Sequence, residues 1–297
     1  MGTLGGMADD SVRRIELLGS GGIRLAADAV GDPADPPALL LHGGGQTRHS
    51  WHSTMHHLGG AGWYAISMDL RGHSDSEWDP NGTYTFDAFA DDVIEVSRSL
   101  GRPALIGASL GGISALGALG FTRDDPAGRA LVLVDVAPHI EETGTSRIRA
   151  FMNEHMTSGF ATLEEVADAV QAYNPHRPRP HDLSGLRKNV RLRDDGRWYW
   201  HWDPRFITSR PHDDEARTLG TRTDTLIEAA KTLTVPTLLV RGRQSDLLSE
   251  AGAQEFLAMA PHARFVDVAD AGHMVAGDKN DLFNDAVVSF LAEVHSA

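Results

Sequence analysis

Short apolar runs alternate with segments of helical length along most of the chain. Seven such runs lie at residues 23–30, 38–42, 64–68, 104–108, 131–136, 237–240 and 265–268; the first alternates weakly, and the other six are compact and bounded by Gly, Pro or Asp. Continuous apolar runs of this length are typical of strands buried on both faces of a parallel sheet. Helices are predicted at residues 86–100, 110–121 and 282–294, from apolar positions three or four apart or from a small, wholly apolar composition. The alternation predicts an α/β fold with a mostly parallel sheet.

The alternation breaks between residues 137 and 231. This stretch carries a capping box at residues 162–165, a proline-dense segment at residues 174–180 and an aromatic group at residues 198–202. The capping box predicts the start of a helix, and the tryptophans at alternate positions fit a short hairpin, but no strand is otherwise indicated. We therefore predict a helical insertion, residues 137–231, between core segments 1–136 and 232–297.

Composition excludes several classes of function. The 297-residue chain contains no cysteine, which excludes disulfides, a cysteine nucleophile, a zinc finger and an iron–sulfur cluster. Its 27 Lys+Arg against 41 Asp+Glu give a formal net charge of −14, which argues against a nucleic-acid partner. No membrane span or signal peptide is indicated. We therefore expect a soluble, cytoplasmic protein with no membrane partner, either a monomer or a homodimer.

The strongest chemical signal is Gly-Ala-Ser-Leu-Gly at residues 107–111, centred on Ser109. It lies between a predicted strand and a predicted helix, which is the context in which G-x-S-x-G forms a sharp turn that exposes the serine at the carboxyl edge of the sheet. Glycines flank the turn because side chains there would clash with the neighbouring strand and helix. The alternative is a chance match in a glycine-rich chain. The context favours Ser109 as a nucleophile.

A second glycine signal, His-Gly-Gly-Gly at residues 42–45, follows the run 38–42. Such a loop brings backbone N–H groups close to a ligand. We predict an oxyanion hole formed by Gly44 or Gly45 together with Leu110, the residue after the nucleophile. A plain glycine turn is the alternative.

A serine nucleophile requires a base, and the base requires an acid that orients it. His273 follows the last predicted strand on a Gly-containing loop and is the candidate base. Asp246, just past the run 237–240, is the preferred acid, and Asp135, at the end of the run 131–136, is the alternative.

With these residues in place, the chain resembles an α/β-hydrolase of the branch that contains serine esterases, cofactor-free haloperoxidases (perhydrolases) and epoxide hydrolases. The order Ser109, Asp246, His273 is the one expected of that family. Residues 68–76 are similar to the branch's D-x-R-G-H-G-x-S segment, with Ser74 in place of a glycine. The resemblance covers residues 13–136 and 232–295. It implies the α/β-hydrolase fold with a sheet of about eight strands, in which the insertion at residues 137–231 is a helical cap that follows the sixth strand.

Because Ser109 stands where epoxide hydrolases carry an aspartate, the resemblance implies a serine hydrolase that cleaves a small-molecule carboxylic ester or lactone through an acyl-enzyme, with no metal and no cofactor. Perhydrolysis and carbon–carbon bond hydrolysis on the same triad are alternatives. A catalytically silent ligand-binding protein of this fold is an alternative of another class.

Further candidates for the substrate pocket are aromatic or basic. We consider Trp51, His42, Trp198 and Trp200 as substrate contacts, with packing inside the protein as the alternative for each. The basic stretch of Arg187, Lys188, Arg191 and Arg193 is typical of a solvated face, and recruitment of an anionic substrate is its alternative.

Overall fold

The computed structural model describes residues 11–175, 179, 181–208, 215–269, 271–272 and 281–296. Its strands are β1 (Arg13–Leu18), β2 (Arg24–Val30), β3 (Pro37–Leu41), β4 (Tyr64–Met68), β5 (Ala104–Ala108), β6 (Ala130–Val134), β7 (Val190–Leu192), β8 (Trp198–Trp200), β9 (Thr237–Gly242) and β10 (Arg264–Val268). Its α-helices are α1 (His52–Gly60), α2 (Phe86–Leu100), α3 (Leu110–Phe121), α4 (Glu142–Asn153), α5 (Leu163–Tyr173), α6 (Arg205–Thr208), α7 (Glu215–Lys231), α8 (Glu250–Met259) and α9 (Asp281–Ser296).

Eight strands form one sheet in the order β1-β2-β4-β3-β5-β6-β9-β10. β2 runs antiparallel to β1 and β4, whereas the strands from β4 to β10 are parallel. The register places Leu41 opposite Gly107 and Val134 opposite Val240, so the carboxyl ends of β3, β5, β6 and β9 meet at one edge. The predicted mostly parallel sheet is confirmed, and its carboxyl edge is where ligands bind in sheets of this kind.

Both faces of the sheet are covered, which explains why its strands are apolar at successive positions. On β5, Leu105 packs with the cluster that includes Phe89 of α2, and Ile106 packs on the opposite face with the cluster that includes Leu58 of α1 and Val287 of α9. All five side chains are at most 1% exposed. Because alternate strand residues point to opposite faces, a strand covered by helices on both sides reads as one continuous apolar run.

The cap segment, residues 137–231, follows β6 and contains α4 to α7 together with the hairpin β7–β8. In the hairpin, Arg191 stands opposite Tyr199 in an antiparallel pair. The cap segment is therefore not wholly helical, and the alternate spacing of Trp198 and Trp200 was the signal for this hairpin. Thr162 accepts a hydrogen bond from the Glu165 N–H at 3.2 Å, as the capping box predicts. Among the helices of the described ranges, none has the length and hydropathy to cross a bilayer.

Candidate active site

Ser109 occupies the turn between β5 and α3 with φ 47° and ψ −115°. Few residues other than glycine adopt positive φ, and such a backbone costs about 1–3 kcal/mol. The surrounding hydrogen bonds hold it, because the Ser109 N–H donates to the Val134 carbonyl at 3.3 Å and the Ile113 N–H donates to the Ser109 carbonyl at 3.0 Å. Strained serines of this kind cluster at functional sites.

The glycines on either side of Ser109 are required by close backbone approach. A Cβ at Gly107 would lie 2.5 Å from backbone atoms of Gly111 and Gly112, and a Cβ at Gly111 would lie 2.3 Å from the Leu41 carbonyl oxygen. No side chain fits at these distances without displacing the strand or the helix. The steric reason predicted for the flanking glycines is therefore confirmed.

The glycine loop, residues 42–45, lies directly beside Ser109. A Cβ at Gly43 would be 3.3 Å from the Ser109 Cβ, and the Gly111 N–H donates to the His42 carbonyl at 3.1 Å. Within the described part of the chain, the N–H groups of Gly44 and Leu110 have no hydrogen-bond partner. The first N–H of a helix has no acceptor inside the helix, so Leu110 offers its N–H to any ligand at this turn.

Gly45, by contrast, is held on both sides by imidazoles. Its N–H donates to His73 Nε2 at 3.2 Å, so the other nitrogen of His73 carries the proton and donates to the Arg71 carbonyl at 3.0 Å. His201 Nδ1 accepts from the Ser74 N–H at 2.7 Å, which leaves its Nε2–H to donate to the Gly45 carbonyl at 3.3 Å. His201 belongs to the cap segment, so the cap helps to fix the conformation of the glycine loop.

Burial keeps these imidazoles neutral. It lowers the pKa of His42 to about 4 and that of His73 to about 3, and it lowers the pKa of His201 well below its usual value. His42 Nε2 accepts from the Leu70 N–H at 3.0 Å, and its other ring nitrogen contacts the Gly43 carbonyl at 2.7 Å. His42, considered above as a substrate contact, is fully buried and holds the glycine loop instead.

The two candidate acids lie at the ends of neighbouring strands but in different environments. Asp135 is fully buried with φ 53°, and its carboxylate accepts from the Gly242 N–H at 3.0 Å and from the Ser245 hydroxyl at 2.5 Å. Asp246 is 33% exposed, and its carboxylate pairs with Arg147 of α4 at 3.1 Å. The structure therefore buries Asp135 at the end of β6 and pairs Asp246 with a residue of the cap segment. His273 lies outside the described residues.

Ser109 lines a cavity of about 330 Å³ between the glycine loop and the cap segment, called the Ser109 cavity below. Its walls from the cap segment include Ile148, Phe151, Met152, Val170, Tyr173, Lys188, Asn189, Trp200 and Trp202. Trp200 stacks on Trp202 with ring centres 4.9 Å apart. An apolar wall with a few polar groups, at the carboxyl edge of the sheet, is what a small-molecule site requires.

Two of the candidate substrate contacts lie elsewhere. Trp51 is fully buried and packs against Phe283, with ring centres 6.2 Å apart, on the α1 and α9 face of the sheet. Trp198 lines a different, open pocket of about 890 Å³ in the cap segment. Of the four, only Trp200 lines the Ser109 cavity.

Sequence reasoning missed three groups that build this site. His73 lies within the R-G-H segment that carried the family resemblance, and Ser245 precedes the preferred acid, so both stood inside recognised motifs. His201 had no signal of its own, because only the folded chain brings it to Gly45.

A mostly parallel sheet with a serine on the turn after β5 and a glycine loop after β3 defines the architecture of an α/β hydrolase. The model of the alpha/beta hydrolase family matches residues 38–286, and the chain belongs to this family.

Its relatives include an esterase of Mycobacterium tuberculosis, 31% identical over 252 residues that cover 82% of this chain and 78% of the esterase. The 3-hydroxybutyrate-oligomer hydrolase of Cupriavidus necator is 29% identical over 261 residues, covering 84% and 87% of the two chains. The protein is therefore an enzyme of the hydrolase class.

Solved structures show the same fold. The crystal structure of E-2-(acetamidomethylene)succinate hydrolase matches with a TM-score of 0.79 at 24% identity, over 95% of this chain and all of the other. A structure of the M. tuberculosis esterase matches with a TM-score of 0.72 at 27% identity, over 97% and 94% of the two chains.

Proposed function

We propose that the protein is a serine hydrolase that cleaves a small carboxylic ester through an acyl-enzyme on Ser109. The observation that carries the proposal is the strained turn at Ser109, which lies beside two backbone N–H groups, of Gly44 and Leu110, that have no partner in the described part of the chain. This pairing is what acyl transfer needs, namely a nucleophile next to donors for a developing oxyanion.

In the proposed mechanism, Ser109 Oγ attacks the ester carbonyl while His273 takes the hydroxyl proton. The N–H groups of Gly44 and Leu110 donate to the oxyanion of the tetrahedral intermediate. Gly45 is not a donor in this scheme, because its N–H already donates to His73. The C–O bond breaks as His273 passes its proton to the departing alcohol. Water, deprotonated by His273, then releases the carboxylic acid and restores Ser109.

We propose Asp135, rather than Asp246, as the acid that orients His273. A triad acid must be fixed and shielded from water so that it stabilises the imidazolium, and Asp135 is fully buried with two donors on its carboxylate. A carboxylate offers about four lone-pair sites, which leaves room for an imidazole N–H. Asp246 is partly exposed and is engaged by the guanidinium of Arg147.

The proposed substrate class rests on two observations. The walls of the Ser109 cavity are largely aromatic and aliphatic, and its volume of about 330 Å³ lies at the lower end of the about 300–1,000 Å³ of small-molecule pockets. The relatives named above are an esterase and a hydrolase of 3-hydroxybutyrate oligomers. Esters of short carboxylic acids fit both observations.

Covalent labelling with a fluorophosphonate probe tests the proposal. We expect the wild-type protein to be labelled at Ser109, because the probe phosphonylates a serine that an adjacent base activates. The Ser109→Ala variant should not be labelled, and peptide mass spectrometry locates the site.

Ser50 provides the matched control, because it also lines the Ser109 cavity but lies in the helical turn at Arg48–Trp51. The Ser50→Ala variant should therefore be labelled like the wild type. Labelling of Ser109→Ala at the wild-type level would place the nucleophile elsewhere. Absence of labelling in the wild type would favour a ligand-binding protein of this fold.

The hydrogen bond from His201 to the Gly45 carbonyl predicts a second effect on catalysis. A glutamine at position 201 places its amide where Nε2 lies and can still donate to the Gly45 carbonyl. An asparagine places its amide where Nδ1 lies, so it can accept from the Ser74 N–H but cannot reach Gly45. Since the bond fixes the loop that carries the oxyanion donor, we expect His201→Asn to lower kcat by about tenfold with KM little changed. His201→Gln should retain most of the kcat.

The comparison is made with one p-nitrophenyl ester at saturating concentration, after thermal unfolding has shown that both variants are folded. Equal kcat values for His201→Asn and His201→Gln would mean that the Gly45 contact does not position the oxyanion donor.

A further inference from the structure

In the basic stretch of the cap segment, Lys188 differs from the three arginines in its partners. Three of its cations are occupied: Arg187 lies over the ring of Trp198, Arg193 lies over the ring of Tyr199, and Arg191 pairs with Asp75 at 2.8 Å. Lys188 is exposed, and no carboxylate of the described residues forms an ion pair with its ammonium group.

Lys188 also has a distinct position, because it lines the Ser109 cavity. The described lining of this cavity contains Lys188 but neither Asp nor Glu, although acidic residues outnumber basic ones by 41 to 27 in the chain. Asn189 and His49 line the cavity as well and offer hydrogen bonds. A cavity whose described lining has an ammonium group and no carboxylate is suited to a negatively charged ligand.

His49 lines the Ser109 cavity together with Lys188. Burial lowers the pKa of His49, and the charges of Arg48 and Lys188 lower it further. Asp28, which acts on His49 in the opposite direction, is already engaged by Arg48 Nε at 3.0 Å. Lys188 and His49 line the same cavity, so a ligand held there can reach the ammonium group of Lys188.

We propose that the substrate carries a carboxylate in addition to its ester group, and that Lys188 binds this carboxylate at the cap side of the Ser109 cavity. The inference rests on the proposed function and adds a substrate class, half-esters of dicarboxylic acids and esters of carboxylate-bearing alcohols. Asn189, next to Lys188 in the cavity wall, supplies an amide donor for the same group.

The field of the whole molecule makes this contact selective. With a formal net charge of −14, the surface repels anions in general, so an anionic substrate requires a local cation at the cavity. Added salt screens a partly exposed ion pair of this kind, and the Debye length is about 8 Å at physiological ionic strength. The preference for an anionic ester should therefore decrease as salt is added.

The test compares two esters that differ only at the end of the acyl chain, mono-p-nitrophenyl adipate, which ends in a carboxylate, and p-nitrophenyl hexanoate, which ends in a methyl group. We expect Lys188→Met to lower the ratio of their kcat/KM values by about five- to tenfold, which is the effect of losing one charge-assisted hydrogen bond at a partly exposed site. Lys188→Arg should keep the ratio within about twofold. The hexanoate reaction is the reference within each variant, so a general change in activity cancels in the ratio.

Lys231→Met is the matched control. It removes the same charge from an exposed lysine that pairs with Glu228 at 2.8 Å and does not line the Ser109 cavity. The ratio should stay at the wild-type value in this variant. An equal fall in Lys231→Met and Lys188→Met would show an effect of net charge alone and would overturn the proposal.

A binding measurement separates this inference from the proposed function. Monomethyl adipate is titrated into Ser109→Ala and into Ser109→Ala with Lys188→Met, with tryptophan fluorescence as the readout, since Trp200 and Trp202 line the cavity. Weaker binding in the double variant supports the Lys188 site even if no ester is cleaved. Two results together would overturn the Lys188 site and leave the esterase proposal standing. Both esters would be hydrolysed with the same ratio of kcat/KM values in the wild type and in Lys188→Met, and the two Ser109→Ala proteins would bind monomethyl adipate equally.

Discussion

Replacing Ser109 by alanine is expected to lower kcat for p-nitrophenyl ester hydrolysis by about 10⁴- to 10⁶-fold, because the nucleophile is lost while the cavity and the oxyanion donors remain. KM should change little, since the Ser109 hydroxyl is one small group in a cavity of about 330 Å³. The measurement is steady-state hydrolysis with the variant purified separately from the wild type, so that traces of active enzyme do not set the residual rate. Turnover within about tenfold of the wild type would contradict the acyl-enzyme mechanism.

A second substitution at the same position tests the strain. Ser109→Gly also removes the hydroxyl, but glycine adopts φ 47° without the clash that a Cβ causes. The relieved strain of about 1–3 kcal/mol exceeds the cost of about 0.5–1 kcal/mol for the added freedom of the unfolded chain. We therefore expect a free energy of unfolding in urea about 1 kcal/mol higher for Ser109→Gly than for Ser109→Ala. Equal stabilities would show that the turn is not strained.

The sequence carries much of the fold because the apolar runs are short, bounded and covered on both faces. The seven predicted runs all correspond to strands, and the elbow motif lies between β5 and α3 as predicted. β1 was not predicted. Its residues alternate between exposed and more buried positions at the edge of the sheet, so Arg13–Leu18 does not form an apolar run. β1 was therefore missed because it lies at the edge of the sheet, and not because its strand propensity is weak.

The candidate site was less accessible to sequence reasoning, because its key distinctions depend on burial. Asp135 and Asp246 both follow strands and both lie between Ser109 and His273 in the chain, so chain order does not separate them, and Asp246 was preferred for its place just past the run 237–240. The structure separates them, since one is fully buried beside Ser245 and the other forms a partly exposed ion pair. Likewise, His201 is close in space to Gly45 but 156 residues away in sequence, a relation that no local pattern contains.

The exchange of Asp135 for asparagine is expected to reduce kcat by about 10⁴-fold at neutral pH, because the amide no longer holds the imidazole of His273 in the productive tautomer or stabilises the imidazolium. The fold should survive. The amide oxygen still accepts from the Gly242 N–H, and the one bond that is lost comes from the Ser245 hydroxyl, which keeps the two backbone N–H groups that donate to it. Circular dichroism and thermal unfolding establish this before the kinetics are compared.

Asp246→Asn is the matched variant, with the same change of atoms at the end of the neighbouring strand. Its carboxylate forms an ion pair with Arg147, and the two side chains are 33% and 49% exposed. Exposed pairs of this kind contribute about 0–1 kcal/mol, so we expect kcat to stay within about fivefold of the wild type.

The pair of variants distinguishes the two acids directly. A loss of about 10⁴-fold in Asp246→Asn with near-normal turnover in Asp135→Asn would restore Asp246, the acid preferred from the sequence, and refute our choice. Arg147→Gln extends the comparison, because it removes the partner of Asp246 without touching Asp135. If Asp246 serves only to hold the cap segment through Arg147, Arg147→Gln and Asp246→Asn should show the same small change in KM, and the double variant should add nothing to it.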